Sequence, residues 1–143
     1  NAAYLNYFVN AREDQILEHY EIDIYKMART EGKSWVVASN QISYINPAFL
    51  MEEVIIESQV LKFDTSSISI EMKMWNKDKT KIKAVMWSTL VYFNLMKQKR
   101  EQHSEELMNL FNSVLNPIKT TQFEIRINYF KKNFKFSKKP AII

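Results

Sequence analysis

The sequence predicts an α+β domain in which a long central helix is wrapped by an antiparallel β-sheet, with a helical extension at the C-terminus. Three observations lead to this prediction. Residues 1–12 are apolar around almost the whole circumference of a helix, and no charge precedes Arg12, so other elements must cover that helix. Residues 34–95 show the alternating, β-branched and aromatic pattern of strands. Helical spacing returns after residue 100, and a helix packed on a sheet is a stable layer arrangement.

The first part of the chain is predicted to form two helices. The long one covers Ala2–Tyr20, and acidic residues such as Glu18 give its later turns a polar side. A shorter helix covers Glu21–Glu31 and ends at Gly32, which is well placed as a C-terminal cap.

The middle of the chain is predicted to form four consecutive antiparallel strands. They are Ser34–Ile45, Val54–Phe63, Ser67–Trp75 and Ile82–Leu95. Asn46-Pro47 ends the first, because proline disfavours further pairing. The third alternates cleanly, with Met72 on one face and Glu71 on the other. The fourth is apolar on both faces, so it belongs in the middle of the sheet or beneath a partner subunit. A simple meander is expected.

The last part of the chain is predicted to be helical. Ser104 is a credible N-cap for a helix that runs through Leu115 and is terminated by Pro117. The segment after Thr121 fits a helix that begins with a capping box, but its alternation also fits a strand. The helix is preferred. We therefore expect a wrapped-helix domain over residues 1–100, with its first strand upstream, and a helical extension with a basic tail over 101–143.

The positive net charge belongs to the tail rather than to the body of the protein. The chain of 143 residues has a net charge of +4, from 20 basic and 16 acidic residues. Five of the basic residues lie close to the C-terminus, in a segment without acids: Lys131, Lys132, Lys135, Lys138 and Lys139. Without them, 15 basic residues face 16 acidic ones. A nucleic-acid-binding protein would more often carry a basic stripe on its folded body, so no nucleic-acid partner is expected.

Several function classes conflict with the composition. Gly32 is the one glycine, which excludes the glycine-rich phosphate loops of nucleotide-binding proteins. The chain has no cysteine, which excludes disulfides and thiolate chemistry. His19 and His103 are the two histidines; both are predicted to be surface imidazoles, and no metal is expected. No apolar run approaches the roughly 18 residues of a membrane span, and a cytoplasmic location is expected.

Four motifs resemble a known family. Asn1-Ala2-Ala3-Tyr4-Leu5-Asn6-Tyr7-Phe8, followed by Ala11-Arg12, resembles the second half of a His-x-Asn-Asn-Ala-x-Tyr-Leu-x-Tyr-Phe…Ala-Arg signature. That signature belongs to hot-dog-fold acyl-CoA thioesterases of the 4-hydroxybenzoyl-CoA thioesterase-like group. The segment 42–48 resembles the family's Tyr-x-x-Pro-Ala, Ser66-Ser67 its serine at the start of a strand, and the segment 84–93 its last long strand. The resemblance covers roughly residues 1–95.

The chain departs from the family pattern at three places. Met51-Glu52 replaces a Gly-Asp pair, and Val9 replaces a glutamate. The family's catalytic aspartate and first strand would precede Asn1, so the resemblance assigns the catalytic carboxylate to the upstream sequence. Glu52 and Glu53 form an acidic pair that either substitutes as a general base or is a solvated loop.

The resemblance implies that the start of the central helix stabilises the oxyanion during thioester hydrolysis. A helix N-terminus offers unpaired backbone N–H groups and a partial positive charge. The candidate catalytic donors are the backbone groups around Asn1, Ala2, Ala3 and Tyr4. The alternative is that Asn1 only caps the helix and that Tyr4 is a core residue.

The resemblance also implies substrate-binding residues in two other motifs. Tyr44 would line the channel for the pantetheine arm, Pro47 would also belong to the substrate-binding site, and Ser66 and Ser67 would bind CoA phosphate. The alternatives are that Tyr44 packs with a solvated hydroxyl and that the serines only form a turn.

The expected function is hydrolysis of acyl-CoA, or of an acyl group on a carrier protein, to free acid and thiol. The resemblance implies a homodimer or homotetramer with each site at a subunit boundary, and no cofactor apart from the CoA of the substrate. The basic tail could attract CoA phosphates, an acidic carrier protein or an anionic surface, or be a solvated end. The alternative function is a non-catalytic module that binds acyl thioesters or protein partners.

Overall fold

An antiparallel five-stranded sheet organises the residues that the computed structural model describes, which are 4, 7, 8, 10, 11 and 24–134. Its strands are β1 (Lys33–Tyr44), β2 (Val54–Phe63), β3 (Ser67–Asn76), β4 (Ile82–Asn94) and β5 (Lys99–Arg100). The helices within 24–134 are α1 (Ile24–Glu31), α2 (Glu105–Val114) and α3 (Phe123–Phe134). The predicted strands agree with β1 to β4 to within one residue at each end, whereas the two-residue β5 was not predicted.

The order of the strands is β1-β4-β3-β2, with β5 beside the end of β4. The prediction that the doubly apolar strand lies in the middle is confirmed, because β4 pairs with both β1 and β3. The prediction of a simple meander holds for β2, β3 and β4 and is wrong for β1. Pairing β1 with β4 gives β4 a neighbour on each side, and residues 45–53 carry the chain across the end of the sheet to β2.

The amino-terminal helix packs on one face of the sheet through Tyr4 and Phe8. Residues 4, 7, 8, 10 and 11 are helical; the rest of the predicted helix Ala2–Tyr20 lies outside the described residues. Tyr4 and Phe8 are buried, but Tyr7 is 56% exposed. The prediction that this helix is covered on almost every side is wrong at Tyr7, because one sheet covers one face of a helix. The sheet contributes Val60, Ile68, Ile70, Met72, Met74, Ala84, Met86, Leu90 and Tyr92 to the core beneath it.

The C-terminal extension covers the opposite face of the sheet. Residues 123–134 form α3, so the helix alternative is confirmed over the strand alternative. The ring of Phe123 meets that of Trp87 edge to face at 5.2 Å between ring centroids, and the ring of Phe134 meets that of Trp75 in the same way at 5.1 Å. The buried members of this outer cluster are Ile45, Trp75, Ile82, Val85, Phe123, Ile127 and Phe130.

A buried ion pair joins α3 to the centre of the sheet. Glu71 projects from β3 toward α3 and is 0% exposed. Arg126 donates from Nε to Glu71 Oε2 at 2.8 Å and from a terminal nitrogen to Oε1 at 2.7 Å. Trp87 Nε1 donates to Oε2 at 2.8 Å. Alternation in the sequence placed Glu71 opposite Met72 but gave no sign that this face would be covered.

The helix ends follow the predicted capping residues. Gly32 adopts φ +67° immediately after α1, a left-handed conformation that glycine adopts without penalty. Ser104 accepts a hydrogen bond from the backbone N–H of Leu107 at 3.2 Å and caps α2. The predicted helix Glu21–Glu31 corresponds to α1, and its first three residues lie outside the described part.

His103 is buried, so the prediction that it is a surface imidazole is wrong. The ring packs beside Phe111 at 5.0 Å and Tyr92 at 5.2 Å between ring centroids. Trp35 Nε1 donates to Nε2 at 3.0 Å, and Nδ1 lies 3.0 Å from the carbonyl oxygen of Asp64. These partners fix the neutral tautomer with the proton on Nδ1. Burial lowers the pKa of His103, although the Asp64 carbonyl and carboxylate oppose this.

We expect the buried His103 to make the protein less stable in mild acid. An unfolded histidine has a pKa of about 6.5. As the pH falls below that value, the unfolded chain takes up a proton that the folded chain does not, so the free energy of unfolding decreases. Urea unfolding at pH 7 and at pH 5 measures this effect. The difference in the free energy of unfolding between wild type and His103→Gln should be smaller at pH 5 than at pH 7. Equal differences at the two pH values would contradict this linkage.

Candidate functional site

The hydroxyl of Tyr4 fixes the amino-terminal helix to the loop that follows β1. It accepts a hydrogen bond from the backbone N–H of Ala48 at 2.5 Å and lies 3.4 Å from the carbonyl oxygen of Asn46, to which it donates. The rings of Tyr4 and Tyr44 meet edge to face with centroids 5.0 Å apart. Pro47 lies between the two backbone groups that hold Tyr4. The structure thus brings together three of the predicted site residues at what we call the Tyr44 end of the sheet.

Lys83 on β4 binds this loop to the sheet. The register of β3 and β4 shifts between Met74–Ala84 and Trp75–Ile82, which leaves Lys83 as the extra residue of a β-bulge. Its side chain is 6% exposed, and Nζ lies 3.0 Å from Glu52 Oε2. The same nitrogen donates to the carbonyl oxygen of Pro47 at 2.8 Å. A buried ammonium group requires such partners, and here they fix the loop against the sheet.

Glu52 is a structural partner of the loop. The backbone N–H of Phe49 donates to its Oε1 at 3.1 Å. This hydrogen bond and the neighbouring Lys83 lower the pKa of Glu52, so the carboxylate is ionised at neutral pH. Glu53 is exposed and pairs with Lys77 at 3.4 Å. Because the Glu52 oxygens are engaged by Phe49 and Lys83, this carboxylate is poorly placed to activate a water molecule.

Ser66 and Ser67 lie at the other end of the sheet. Tyr44 pairs with Ala84 on β4, whereas Ser67 pairs with Val91. Seven residues of strand separate these positions, or roughly 23 Å at about 3.3 Å per residue. One chain therefore does not bring the two serines to the Tyr44 end.

The two serines take part in a turn, which is the alternative role considered for them. The backbone N–H groups of Ser66 and Ser67 donate to Asp64 Oδ1 at 2.9 and 2.7 Å. These hydrogen bonds, that of Ser66 first, lower the pKa of Asp64. The hydroxyl groups were the atoms predicted to bind phosphate, and that role stays a prediction.

The predicted oxyanion donors remain predictions. Asn1, Ala2 and Ala3 lie outside the described residues, as do Arg12 and His19, and Tyr4 is described as a helical residue with its hydroxyl engaged. Sequence reasoning missed Lys83 and the role of the Tyr4 hydroxyl. A signal for Lys83 was present, since a lysine at the start of a strand that is apolar on both faces must find a partner if it is buried.

The described residues contain neither a helix that could span a membrane nor a group of side chains that could hold a metal ion. No helix among them is long and apolar enough to cross a bilayer. No group of three or more His, Asp or Glu residues within them is arranged for metal binding.

Comparison with known proteins identifies the class. The model of the thioesterase-like superfamily matches residues 1–111, so the chain belongs to that superfamily. The probable thioesterase YbaW of Escherichia coli is 25% identical, with a TM-score of 0.66 over 81% of this chain and 85% of that one. The architecture is the hot-dog fold of these thioesterases, as the resemblance implied. No curated protein matches the sequence significantly.

Two further solved structures show the same fold at lower identity. The DHNA-CoA thioesterase of Staphylococcus aureus is 16% identical, with a TM-score of 0.72 over 80% of this chain and 76% of that one. A hypothetical protein of Staphylococcus aureus, solved in complex with CoA, is 11% identical, with a TM-score of 0.66 over 99% of this chain and 77% of that one.

Proposed function

We propose that this protein is a thioester hydrolase that cleaves acyl-CoA, or an acyl group on a carrier protein, to free acid and thiol. The observation that carries the proposal is the position of Tyr4, whose hydroxyl is hydrogen-bonded to the loop after β1 in a member of the thioesterase-like superfamily. No cofactor is required apart from the CoA that belongs to the substrate.

The proposed chemistry uses the helix N-terminus as an oxyanion site. Water attacks the carbonyl carbon, the carbonyl oxygen becomes negative, and the C–S bond then breaks to release the thiol after protonation of sulfur. Backbone N–H groups in the first turn can stabilise the developing charge, and loss of one such donor typically raises a barrier by about 3 kcal/mol. Tyr4, the first described residue of this helix, is hydrogen-bonded through its hydroxyl to Ala48 and Asn46. The group that activates water is assigned to the sequence outside the described residues, because Glu52 is engaged by Lys83.

We further propose a homodimer in which two copies of β1 pair. Within the described residues β1 pairs with β4 alone, so one edge of a 12-residue strand is open, and Val36 and Val37 are exposed on it. Open edges of this length invite pairing. Antiparallel pairing would bring the Tyr44 end of one copy beside the end of β1 that starts at Lys33 in the other. The partner's Ser66 and Ser67 lie toward that end, so the predicted substrate residues would flank one subunit boundary.

Release of thiol from a series of acyl-CoAs of different chain length, including aromatic acyl groups, tests the proposed activity. We expect turnover with at least one of them or with the matching acyl carrier, and a lower kcat/KM for Tyr4→Phe, which keeps the ring but loses the hydrogen bonds to the loop.

The engagement of Glu52 by Lys83 favours a second candidate, a binding module without catalysis. Tight binding of a non-hydrolysable acyl-CoA thioether without any turnover would support that module. The absence of both binding and turnover would contradict both functions.

A further inference from the structure

The loop after β1 presents large apolar side chains at the corner of a turn. The backbone N–H of Glu52 donates to the carbonyl oxygen of Phe49 at 3.0 Å, so Phe49–Glu52 is a β-turn with Leu50 and Met51 at its corners. We call it the apolar turn. Leu50 is 95% exposed, Met51 92% and Phe49 69%. Turn corners are usually glycine or small polar residues, so the exposed side chains of Leu50 and Met51 do not serve the turn itself.

Met51 adopts a conformation that a methionine does not favour. Its φ is +70°, in the left-handed region that glycine adopts without a steric penalty and that strains most L-amino acids. Glycine is also what the family resemblance expects at this place. A methionine that strains the backbone and touches little of its own chain indicates selection for contact with something else.

The apolar turn is held rigidly beside the proposed site. Glu52 is fixed by the buried Lys83, and Ala48, the residue just before the turn, donates to the Tyr4 hydroxyl. A partner that contacts the turn would therefore be positioned at the start of the amino-terminal helix.

Positive charge accumulates at the same end of the molecule. The carbonyl oxygen of Phe134 accepts a hydrogen bond from Asn46 Nδ2 at 3.5 Å, so α3 ends beside this loop. Its last turn carries Lys131 and Lys132, both exposed.

The neighbouring turn between β3 and β4 adds charges of both signs. Lys77 pairs with Glu53 at 3.4 Å, and Lys79 pairs with Glu57 at 3.2 Å. Asp78 and Lys81 complete this turn. These charges balance, so the positive excess around the apolar turn comes from the end of α3.

We propose that the apolar turn and the lysines at the end of α3 dock an acidic acyl carrier protein, which delivers the thioester to the site. The inference rests on the proposed hydrolase function and selects the carrier over free CoA. Protein interfaces combine a desolvated apolar centre with a charged rim that steers the partner, and this surface has both. The phosphates of CoA alone would use the lysines but not the exposed apolar side chains.

An anionic bilayer is the other surface that combines apolar and acidic groups. In the proposed dimer, antiparallel β1 strands place the two apolar turns at opposite ends of the joined sheet. Both could not rest on one flat membrane, whereas each could bind its own carrier protein.

Comparison of one acyl group on CoA and on the carrier protein tests the inference. We expect Leu50→Asp and the double change Lys131→Glu, Lys132→Glu each to lower kcat/KM for the acyl carrier about tenfold, and rising salt to weaken the wild-type reaction with the carrier. Hydrolysis of acyl-CoA should change less than about twofold in Leu50→Asp. The lysine variant removes charges that CoA phosphates would also use, so the selective loss in Leu50→Asp is the deciding result. Met51→Gly should raise Tm while it lowers activity with the carrier, which separates recognition from folding.

Ile125→Asp is the matched control. Ile125 is 51% exposed and lies in the first turn of α3, about 9 Å before Lys131 along the helix at about 1.5 Å per residue, and its replacement should affect neither substrate. Equal losses with both substrates in Leu50→Asp, no loss with either in any of these variants, or a wild-type preference for acyl-CoA would overturn the inference while leaving the hydrolase proposal intact. Loss of binding to phosphatidylglycerol vesicles in Leu50→Asp, with normal carrier hydrolysis, would assign the turn to a bilayer instead. Failure of wild type to hydrolyse either substrate would reject the hydrolase function itself.

Discussion

Replacement of Arg126 by methionine is expected to lower the free energy of unfolding by about 3–5 kcal/mol. The change leaves the Glu71 carboxylate buried at 0% exposure, with the Trp87 indole as its remaining donor. An uncompensated charge in the interior is far more costly than the loss of an exposed ion pair. Methionine retains most of the packing volume, so the effect should reflect the charge. Urea unfolding measures it directly.

Two further variants isolate the ion pair. The double change Glu71→Met, Arg126→Met should recover much of the lost stability, since apolar replacements of a whole buried pair are often tolerated. Lys79→Met removes the solvent-exposed Lys79–Glu57 pair and should cost less than about 1 kcal/mol. A loss for Arg126→Met as small as that for Lys79→Met would show that Glu71 does not depend on α3.

Replacement of Lys83 by methionine is expected to destabilise the protein by about 2–4 kcal/mol and to release the loop at the Tyr44 end. Glu52 would lose its ion-pair partner, and the carbonyl oxygen of Pro47 would lose its donor. The Tyr4 contacts on the same loop should weaken, because Ala48 follows Pro47 directly. Urea unfolding gives the stability, and hydrogen exchange at the Ala48 amide reports the loop.

Glu52→Gln is the matched change on the other side of this pair. The glutamine retains an oxygen that can accept from the Phe49 N–H, and Lys83 keeps its hydrogen bond to Pro47. We therefore expect a smaller loss of stability than in Lys83→Met and slower hydrogen exchange at the Ala48 amide. Unchanged exchange at Ala48 in Lys83→Met would mean that Lys83 does not hold the loop.

Local pattern predicted most of the elements because their causes are local. The Ser104 cap, the Gly32 end of α1 and the strand bounds each depend on residues close in sequence. The period after Thr121 fitted both a helix and a strand, with the helix preferred, and in the structure this helix packs on Trp75 and Trp87. No local signal specifies that β1 pairs with β4 rather than with β2. That choice depends on contacts between residues 33–44 and 82–94, which lie too far apart in sequence for a local pattern to record.

The site residues that belong to sequence motifs could be predicted, whereas those whose position depends on strand pairing could not. Tyr4, Tyr44 and Pro47 come from separate motifs, and the structure places them together. Ser66 and Ser67 lie at the far end of the same chain, because a motif gives no distance between strands. The bulge that turns Lys83 inward arises from the pairing of β3 with β4, and pairing register is not visible in one strand alone. The roles of Asn1 and Ala2 stay predictions.

The Glu71–Arg126 contact makes two distant stretches of the chain mutually dependent. A shorter version that stops before residue 123 would return Glu71 to water, but it would also expose the apolar side chains that α3 covers, such as Trp75 and Val85. We infer that sheet and extension melt as a single cooperative unit.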